Sequence, residues 1–405
     1  MFSVHVWNMS EKNKMHGYKT YKFRLNTRKS HRETLERLCE SQRLLYNSML
    51  AERKKIGDSI ALWKRAREDG CPIMFIGDKP KSITFFDQCK ELTKLRGEFE
   101  WAKSQPVALQ RGTIKKLDLA FKAFFDRVKR GDKPGYPRFA RYGEWNTLLF
   151  AEFTGIRLVG GKVVSKCFGR IPVKLHRKIE GEIKSCTITQ DAGKWYVTLS
   201  CKQDVPEAAE NIVDPVGIDM GVKEDSLMAL SNGEFVDNPK FNYLDQDAER
   251  ILRRKVARCK RGSNNRKKRK VELSRLTRKI ANSKNTKYHA ITREIVDNHD
   301  FVAVEDLTIK NMVKNKHLSR AIQSASWDKL NSMFEYKCLH DGKGFVKVNP
   351  RNTSQICSQC GTKGEKKDLS VRWHKCGECG YENDRDTNAA RNILQRGLES
   401  LPVKA

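Results

Sequence analysis

Large apolar residues alternate with basic and polar ones over residues 18–25 (YKTYKFRL), the period of a strand with one buried face. Ser30 and Glu33 have the spacing of a capping box, and behind them Leu35, Leu38, Leu45 and Met49 recur at helical intervals. This pattern predicts a helix to about Lys55. Ala120, Phe121, Phe124, Phe125 and Val128 predict more helix, which the glycines and prolines of residues 131–139 (GDKPGYPRF) break. From about residue 146 to 203 the chain reads as short strands between glycine turns, for example 157–164 and 195–201. The first half is thus a small β domain with a helical insertion at about 30–130.

The pattern changes near Val205. Residues 213–222 (VDPVGIDMGV) read as a buried strand, and the runs 226–231 and 234–236 flank Asn232-Gly233, a signal for a hairpin with a type I′ turn. A long basic helical segment follows, then a helix around 288–298. Residues 301–304 form an apolar strand that ends in Glu305 and Asp306. Ser326 stands where it would cap an amphipathic helix carrying Trp327, Leu330, Phe334 and Cys338; residues 344–348 are a further strand. A last helix begins about Asp386 and carries Ala389, Ala390 and Ile393. Three strands, helix, strand, helix, strand, helix is the element order of an RNase H-like fold, so the 405 residues divide into an α+β multidomain protein.

Charge adds a partner. The chain has 80 basic and 49 acidic residues, a formal charge of +31 that repels itself unless a polyanion neutralises it. Nucleic acid is the expected polyanion, because phosphate neutralisation releases counterions. The charge is also uneven: residues 207–249 contain eleven acids and two bases, whereas residues 250–279 contain fifteen bases and one acid, Glu272. Such a run cannot neutralise itself through i,i+4 pairs. A helical pair presenting Arg253, Arg254, Arg266, Lys267, Lys268, Arg269 and Lys270 to a phosphate backbone is the expectation. No stretch approaches the ~18 apolar residues of a membrane helix, and the N-terminus lacks a signal-peptide core. A cytoplasmic location, nucleoid-associated in a prokaryote, is therefore expected, with no membrane partner.

Three acids stand out. Asp219 interrupts an apolar strand (Val216, Ile218, Met220, Val222), Glu305 ends another, and Asp386 opens a helix. Ionised carboxylates in such settings are costly unless paired with positive charge. Magnesium, held by a few carboxylates together with substrate phosphates, would supply it. Two such ions about 4 Å apart can activate a water and stabilise a leaving oxygen in phosphodiester hydrolysis. Taken singly, Asp386 could be an N-cap and Glu305 a surface acid.

Eight of the twelve cysteines are scattered, but Cys357-x-x-Cys360 and Cys376-x-x-Cys379 lie fifteen residues apart, and each pair is followed by glycine (Gly361, Gly380). This is the knuckle spacing of a four-thiolate structural zinc ribbon.

The segments GIDMGVK from Gly217, FVAVEDLTIKNM from Phe301, VNPRNTSQICSQCG from Val348 and CGYENDRDTNAARNIL from Cys379 resemble the RuvC-like and zinc-ribbon blocks of the TnpB family. YKFRL, KPGYPRF and NNRKKRK extend the resemblance over nearly the whole chain. TnpB proteins are encoded by insertion sequences and are ancestral to type V CRISPR effectors. The resemblance implies a β-barrel wedge domain over residues 1–205 carrying a helical recognition insertion. It implies a RuvC nuclease domain over 206–405 with a zinc ribbon inserted at 350–383. It further implies binding of a transposon-derived non-coding guide RNA and cleavage of double-stranded DNA beside a short motif, with Asp219, Glu305 and Asp386 catalytic. The acid before the xNAA run is the family's last catalytic one, which favours Asp386 over Asp384. One departure is the acidic continuation Val222-Lys223-Glu224-Asp225-Ser226 after Gly221. The competing expectations are a guided DNA-binding protein without cleavage, a DNA transposase, and a compact CRISPR effector. The oligomeric state is not legible in the sequence.

Overall fold

A computed structural model describes residues 16–70, 77–207, 211–222, 226–238, 243–312, 319, 322, 325–365 and 371–401. Residues 223–225 of the departure lie outside them. The chain separates into two compact units, residues 18–203 and a second formed chiefly by 204–405.

In the first unit β1 (His16–Leu25) joins β2 (Thr147–Phe150), β3 (Arg157–Val159), β4 (Lys162–Ser165), β5 (Gly169–Lys174), β6 (Glu182–Asp191) and β7 (Lys194–Asp204). The sheet order is β2-β6-β7-β1-β5-β4-β3. The alternation of β1 holds: Tyr21, Phe23 and Leu25 are buried, and they pack with Phe150, Ile188, Trp195 and Leu199. Between β1 and β2 lie α1 (Lys29–Glu68), α2 (Phe85–Glu98), α3 (Glu100–Lys103) and α4 (Val107–Lys129).

Helix α1 differs from expectation at both ends. It starts one residue before Ser30, with the Arg28 amide donating to His31 Nδ1 (3.3 Å), so Ser30 lies in the first turn and caps nothing. It also runs on to Glu68, beyond the buried stripe that ends at Arg53. The extra turns contain few residues hostile to helix, and propensity carries them without a core contact.

The second unit has a five-stranded sheet built from β8 (Pro215–Met220), β9 (Met228–Leu230), β10 (Phe235–Val236), β11 (Phe301–Glu305) and β12 (Gly344–Val348), in the order β10-β9-β8-β11-β12. β9 is antiparallel to β8 and β10, while β8, β11 and β12 run parallel. The β9–β10 turn is not type I′. Asn232 keeps a negative φ, Gly233 alone is positive, and the Leu230 amide donates to Glu234 O (2.9 Å), as in a three-residue loop with a glycine bulge.

The helices are α5 (Tyr243–Arg258), α6 (Asn264–Asn298), α7 (Ile309–Met312), α8 (Trp327–Asp341) and α9 (Arg385–Glu399). The predicted helix at 288–298 is the end of α6. Ser326 occupies the N-cap position of α8 in a left-handed conformation without capping it, and its hydroxyl accepts from Lys284 Nζ (2.8 Å).

Side-chain parity across this sheet decides what faces what. Val216, Ile218, Met220, Val302 and Val304 belong to one core, with Tyr288, Val296, Leu330 and Phe334 from α6 and α8. Phe301 and Ala303 point to the other face, where they pack with Ile393 of α9. Gly217 also lies on the α9 side: a Cβ there would sit 2.1 Å from Ala390 O and 2.7 Å from Leu394 N. Absence of a side chain is what lets α9 lie directly on β8. Gly217→Ala should therefore push α9 off the sheet and cost about 1–3 kcal/mol, the usual range for overpacking. Chemical denaturation checks this, and an unchanged midpoint would contradict the close contact.

Candidate active site and metal centre

The same parity puts Asp219 on the α9 face of β8, two residues beyond Gly217. On β11, Glu305 shares the parity of Phe301 and Ala303. Val304 pairs with Ile218 in the parallel ladder, so Glu305 falls one step further, beside Asp219. Asp386 sits in the first turn of α9. All three expected acids thus meet at the carboxyl end of β8 and β11, under the start of α9.

The electrostatics agree with that placement. Burial, then the charges of Glu305 and Asp386, raise the Asp219 carboxyl well above its ordinary value, and Arg385 only partly offsets this. Burial also raises Glu305, against a hydrogen bond from Thr353 and the charge of Arg396. Asp386 lies 3.7 Å from Arg372 Nη1. Acids crowded together and desolvated are a poor arrangement without a cation, and an all-oxygen donor set of this kind suits a hard divalent ion such as magnesium.

Asp384 and Asp386 have different roles. Asp384 is the N-cap of α9: its Oδ1 accepts from the Asp386 amide (2.8 Å) and the Thr387 amide (3.2 Å). The capping role that Asp386 could have filled is taken by its neighbour, which leaves the Asp386 carboxylate to act on Asp219 by its charge.

The four cysteines also come together. Cys357 and Cys360 lie in one turn. Cys376 and Cys379 lie in the turn between β13 (Trp373–Lys375) and β14 (Glu382–Asp384), and all four sulfurs are within 4.8 Å of one another. The Cys357–Cys379 and Cys360–Cys376 separations are 3.7 and 3.6 Å, close to the ~3.8 Å edge of a tetrahedron with 2.3 Å metal–sulfur bonds. In each turn the glycine after the second cysteine has φ near +70° (Gly361 +74°, Gly380 +72°), and its amide donates to the first cysteine's carbonyl. Donation from the Thr362 hydroxyl and amide lowers the Cys360 thiol toward the thiolate, the form that binds metal. The residues fit a zinc ion.

Five residues that the sequence did not single out tie this cluster to the acids. Asn388 Nδ2 of α9 donates to Ile356 O (2.8 Å), and its Oδ1 accepts from the Ser358 amide (2.9 Å). Asn392 Nδ2 donates to Thr353 O (2.8 Å) and Ile356 O (2.7 Å), and Arg396 to Asn349 O and Arg351 O. Arg391 reaches the other knuckle through Tyr381 Oη (2.5 Å) and bonds Ser231 O of the hairpin (3.1 Å). Thr353 bonds Glu305 Oε1. The available signal was Asn388 and Asn392 at i and i+4 on the face that also carries Ala389, Ala390 and Ile393, a polar pair where a helix should be apolar.

The basic run forms two helices, α5 and α6, that pack on each other. Its residues are not equivalent. Arg266 Nη1 donates to Val256 O (2.7 Å) and Cys259 O (3.0 Å), closing the end of α5. Arg253 pairs with Glu249 of the neighbouring acidic segment and Arg269 with Glu272, the run's own acid, so part of the run is relieved after all. Arg254, Lys267, Lys268 and Lys270 are exposed, and no ion pair engages them among the described residues. Replacing these four by alanine should lower the slope of log affinity against log salt by about 0.9 per lost phosphate contact. Arg266→Ala should reduce stability and leave the slope unchanged. A slope insensitive to all four would exclude this surface from nucleic acid.

Three family models match the chain: "Helix-turn-helix domain" over residues 15–56, "Probable transposase" over 198–316, and "Cas12f1-like, TNB domain" over 327–393. A protein named as an RNA-guided DNA endonuclease in Streptomyces pristinaespiralis is 34% identical over 315 residues, covering 74% of this chain and 75% of its own. The chain belongs to the TnpB family. InsQ of Escherichia coli (strain K12), also named as an RNA-guided DNA endonuclease, is 27% identical over 315 residues, covering 74% of this chain and 77% of its own. The CRISPR-associated endodeoxyribonuclease Cas12f1 of Sulfoacidibacillus thermotolerans is 27% identical over 333 residues, covering 71% and 76%. In this TnpB-family chain the stretch matched by the helix-turn-helix model is a strand and the first part of one continuous helix. Among the described residues no helix is long and apolar enough to cross a membrane.

Proposed function

We propose that this TnpB-family chain is an RNA-guided endonuclease that cuts double-stranded DNA beside a short motif. Asp219, Glu305 and Asp386 are its catalytic carboxylates, and Cys357, Cys360, Cys376 and Cys379 hold a structural zinc. The observation that carries the reading is the meeting of three acids, drawn from two strands and a helix, at the carboxyl ends of β8 and β11 at a cost in desolvation and repulsion. Its support in the fold is the strand order, which numbered within the unit is 3-2-1-4-5 with the second strand antiparallel to the others, the arrangement expected of an RNase H-like (RuvC) nuclease. The first unit is read as the wedge domain with its recognition insertion.

Magnesium, when bound by the three carboxylates, would supply the positive charge that activates water and stabilises the leaving oxygen in phosphodiester hydrolysis. The chain contributes position. Asp219 and Glu305 are set by the parallel ladder, and Asp386 is set by the Asp384 cap that fixes the first turn of α9. Exposed bases on α5 and α6 hold the polyanion backbone, where many weak phosphate contacts add up without reading sequence. Guide RNA delegates sequence recognition to base pairing.

The test is co-purification of the chain with its native flanking DNA, sequencing of the bound RNA, and challenge with a library of randomised motifs beside a matching target. Magnesium-dependent cleavage beside one motif, lost in Asp386→Ala, is the expected result. A bound RNA with target recognition and no cleavage would replace the reading by a guided binder. No discrete RNA would favour a transposase.

A further inference from the structure

Glu305 is 8% exposed, and the only protein hydrogen bond to its carboxylate among the described residues comes from Thr353, itself 5% exposed. The Thr353 hydroxyl lies 2.6 Å from Glu305 Oε1 and 3.2 Å from Pro350 O. A hydroxyl has one hydrogen, and the shorter, charged partner takes it. Oε1 is therefore held, and Oε2 carries no protein hydrogen bond among the described residues.

Thr353 does not belong to the sheet. It sits in the segment between β12 and Cys357, which turns through Asn352 in the left-handed conformation (φ +64°). Asn, with its short polar side chain, tolerates that conformation better than most residues. Three anchors then fix the segment. Asn392 Nδ2 bonds Thr353 O and Ile356 O, Asn388 bonds Ile356 O and the Ser358 amide, and Arg396 bonds Asn349 O and Arg351 O. All three lie on α9, the helix that carries Asp386. Asn388 is fully buried and Asn392 nearly so, so these amides are committed to this contact.

We propose that Thr353 is a positioning residue of the nuclease site: clamped by its own carbonyl to Asn392 on the helix of Asp386, it fixes the rotamer of Glu305 so that the two acids keep one geometry toward a divalent cation. The inference rests on the nuclease reading above. An unrestrained glutamate has three rotatable torsions, and a cation must then order it on binding, which weakens affinity. Partners that orient metal-ligating carboxylates have effects of this kind, typically 10–100-fold in metal affinity.

The experiment uses the full chain and three variants, Thr353→Val, Thr353→Ser and Asp219→Asn. Manganese, as a magnesium surrogate, is titrated against each in the absence of DNA, with free manganese read by electron paramagnetic resonance. Zinc content and the magnesium dependence of cleavage are measured in parallel. Valine keeps the size and removes the hydroxyl; serine keeps the hydroxyl. Thr353→Val should weaken the Asp219-dependent manganese site roughly tenfold and raise the magnesium needed for half-maximal cleavage to match, with zinc retained. Thr353→Ser should restore both to within about twofold of the parent. Parental manganese affinity in Thr353→Val would overturn the assignment. Equal loss in both variants, or loss of zinc from Thr353→Val, would show a merely structural role and overturn it as well. If the parent chain has no manganese site that Asp219→Asn removes, the nuclease reading itself fails and the inference falls with it.

Discussion

Asp219→Asn is expected to abolish cleavage, by at least about a thousandfold, and at the same time to make the magnesium-free protein more stable. The loss follows from removing one of three carboxylates that would hold the activating cation, an interaction worth several kcal/mol, where 1.36 kcal/mol is tenfold in rate. The gain follows from the cost of the native acid. Burial and the charges of Glu305 and Asp386 raise the Asp219 carboxyl in the folded chain, so the folded state holds that proton more tightly than the unfolded state does. Stability linked to this proton is therefore present at low pH. It is lost as the pH climbs from the unfolded carboxylate value through the raised folded one. Asparagine has no proton to lose and no charge to desolvate. Without added magnesium at pH 8, and with zinc retained, the variant should melt a few degrees above the parent, at roughly 2–4 °C per kcal/mol for a unit of this size. Saturating magnesium should erase or invert the difference, because it stabilises only the parent. Guide-RNA binding should not change. Melting curves across a pH series, with and without magnesium, read all of this, and a magnesium-free variant that melts at or below the parent would contradict the crowded-acid geometry.

The second large effect is loss of the cysteine-bound metal. Cys376→Ala should drop bound zinc from one per chain to none and take cleavage with it, although no cysteine is among the three acids. A structural zinc of this type contributes about 10–16 kcal/mol of apparent folding free energy in isolated peptides. Here the loops it closes are the ones on which Asn388, Asn392, Arg391 and Arg396 anchor α9. Without it the turns at 357–360 and 376–379 lose their common centre, the Thr353 segment loosens, and Asp386 and Glu305 lose their mutual geometry. The first unit has its own core around Phe23, Phe150, Trp195 and Leu199 and should melt as before. Hydrogen exchange should rise in residues 349–401 and stay unchanged in 18–203. A zinc-free variant that still cuts at the parental rate would refute the coupling.

Much of this was legible in the order of residues. Strand β1, the helical insertion, the element order of the second unit and the pairing of the four cysteines all follow from local periodicity and spacing, which are properties of nearest neighbours in the chain. The Cys–Gly turns needed only the local rule that glycine accepts a positive φ, and Gly361 and Gly380 obey it. Asp219, Glu305 and Asp386 stood out because each breaks or ends an apolar pattern. Single-residue logic, however, left Asp386 as a possible N-cap. Only the placement of Asp384 Oδ1 against two amides assigned that role to its neighbour.

Tertiary structure decided the rest, because the deciding partners are far apart in sequence. No local pattern says that Gly217 is bare in order to admit Ala390, 173 positions later, or that Thr353 bonds Glu305 across 48 positions. Nor does it say that Arg266 closes a helix while Lys267 and Lys268 stay exposed: all three read alike as charge, and only the carbonyls at Val256 and Cys259 distinguish them. Periodicity reports which face of an element is buried. What covers that face, and which polar groups must be satisfied there, is set by the packing of whole elements, and it is that packing which brings three acids distant in sequence together.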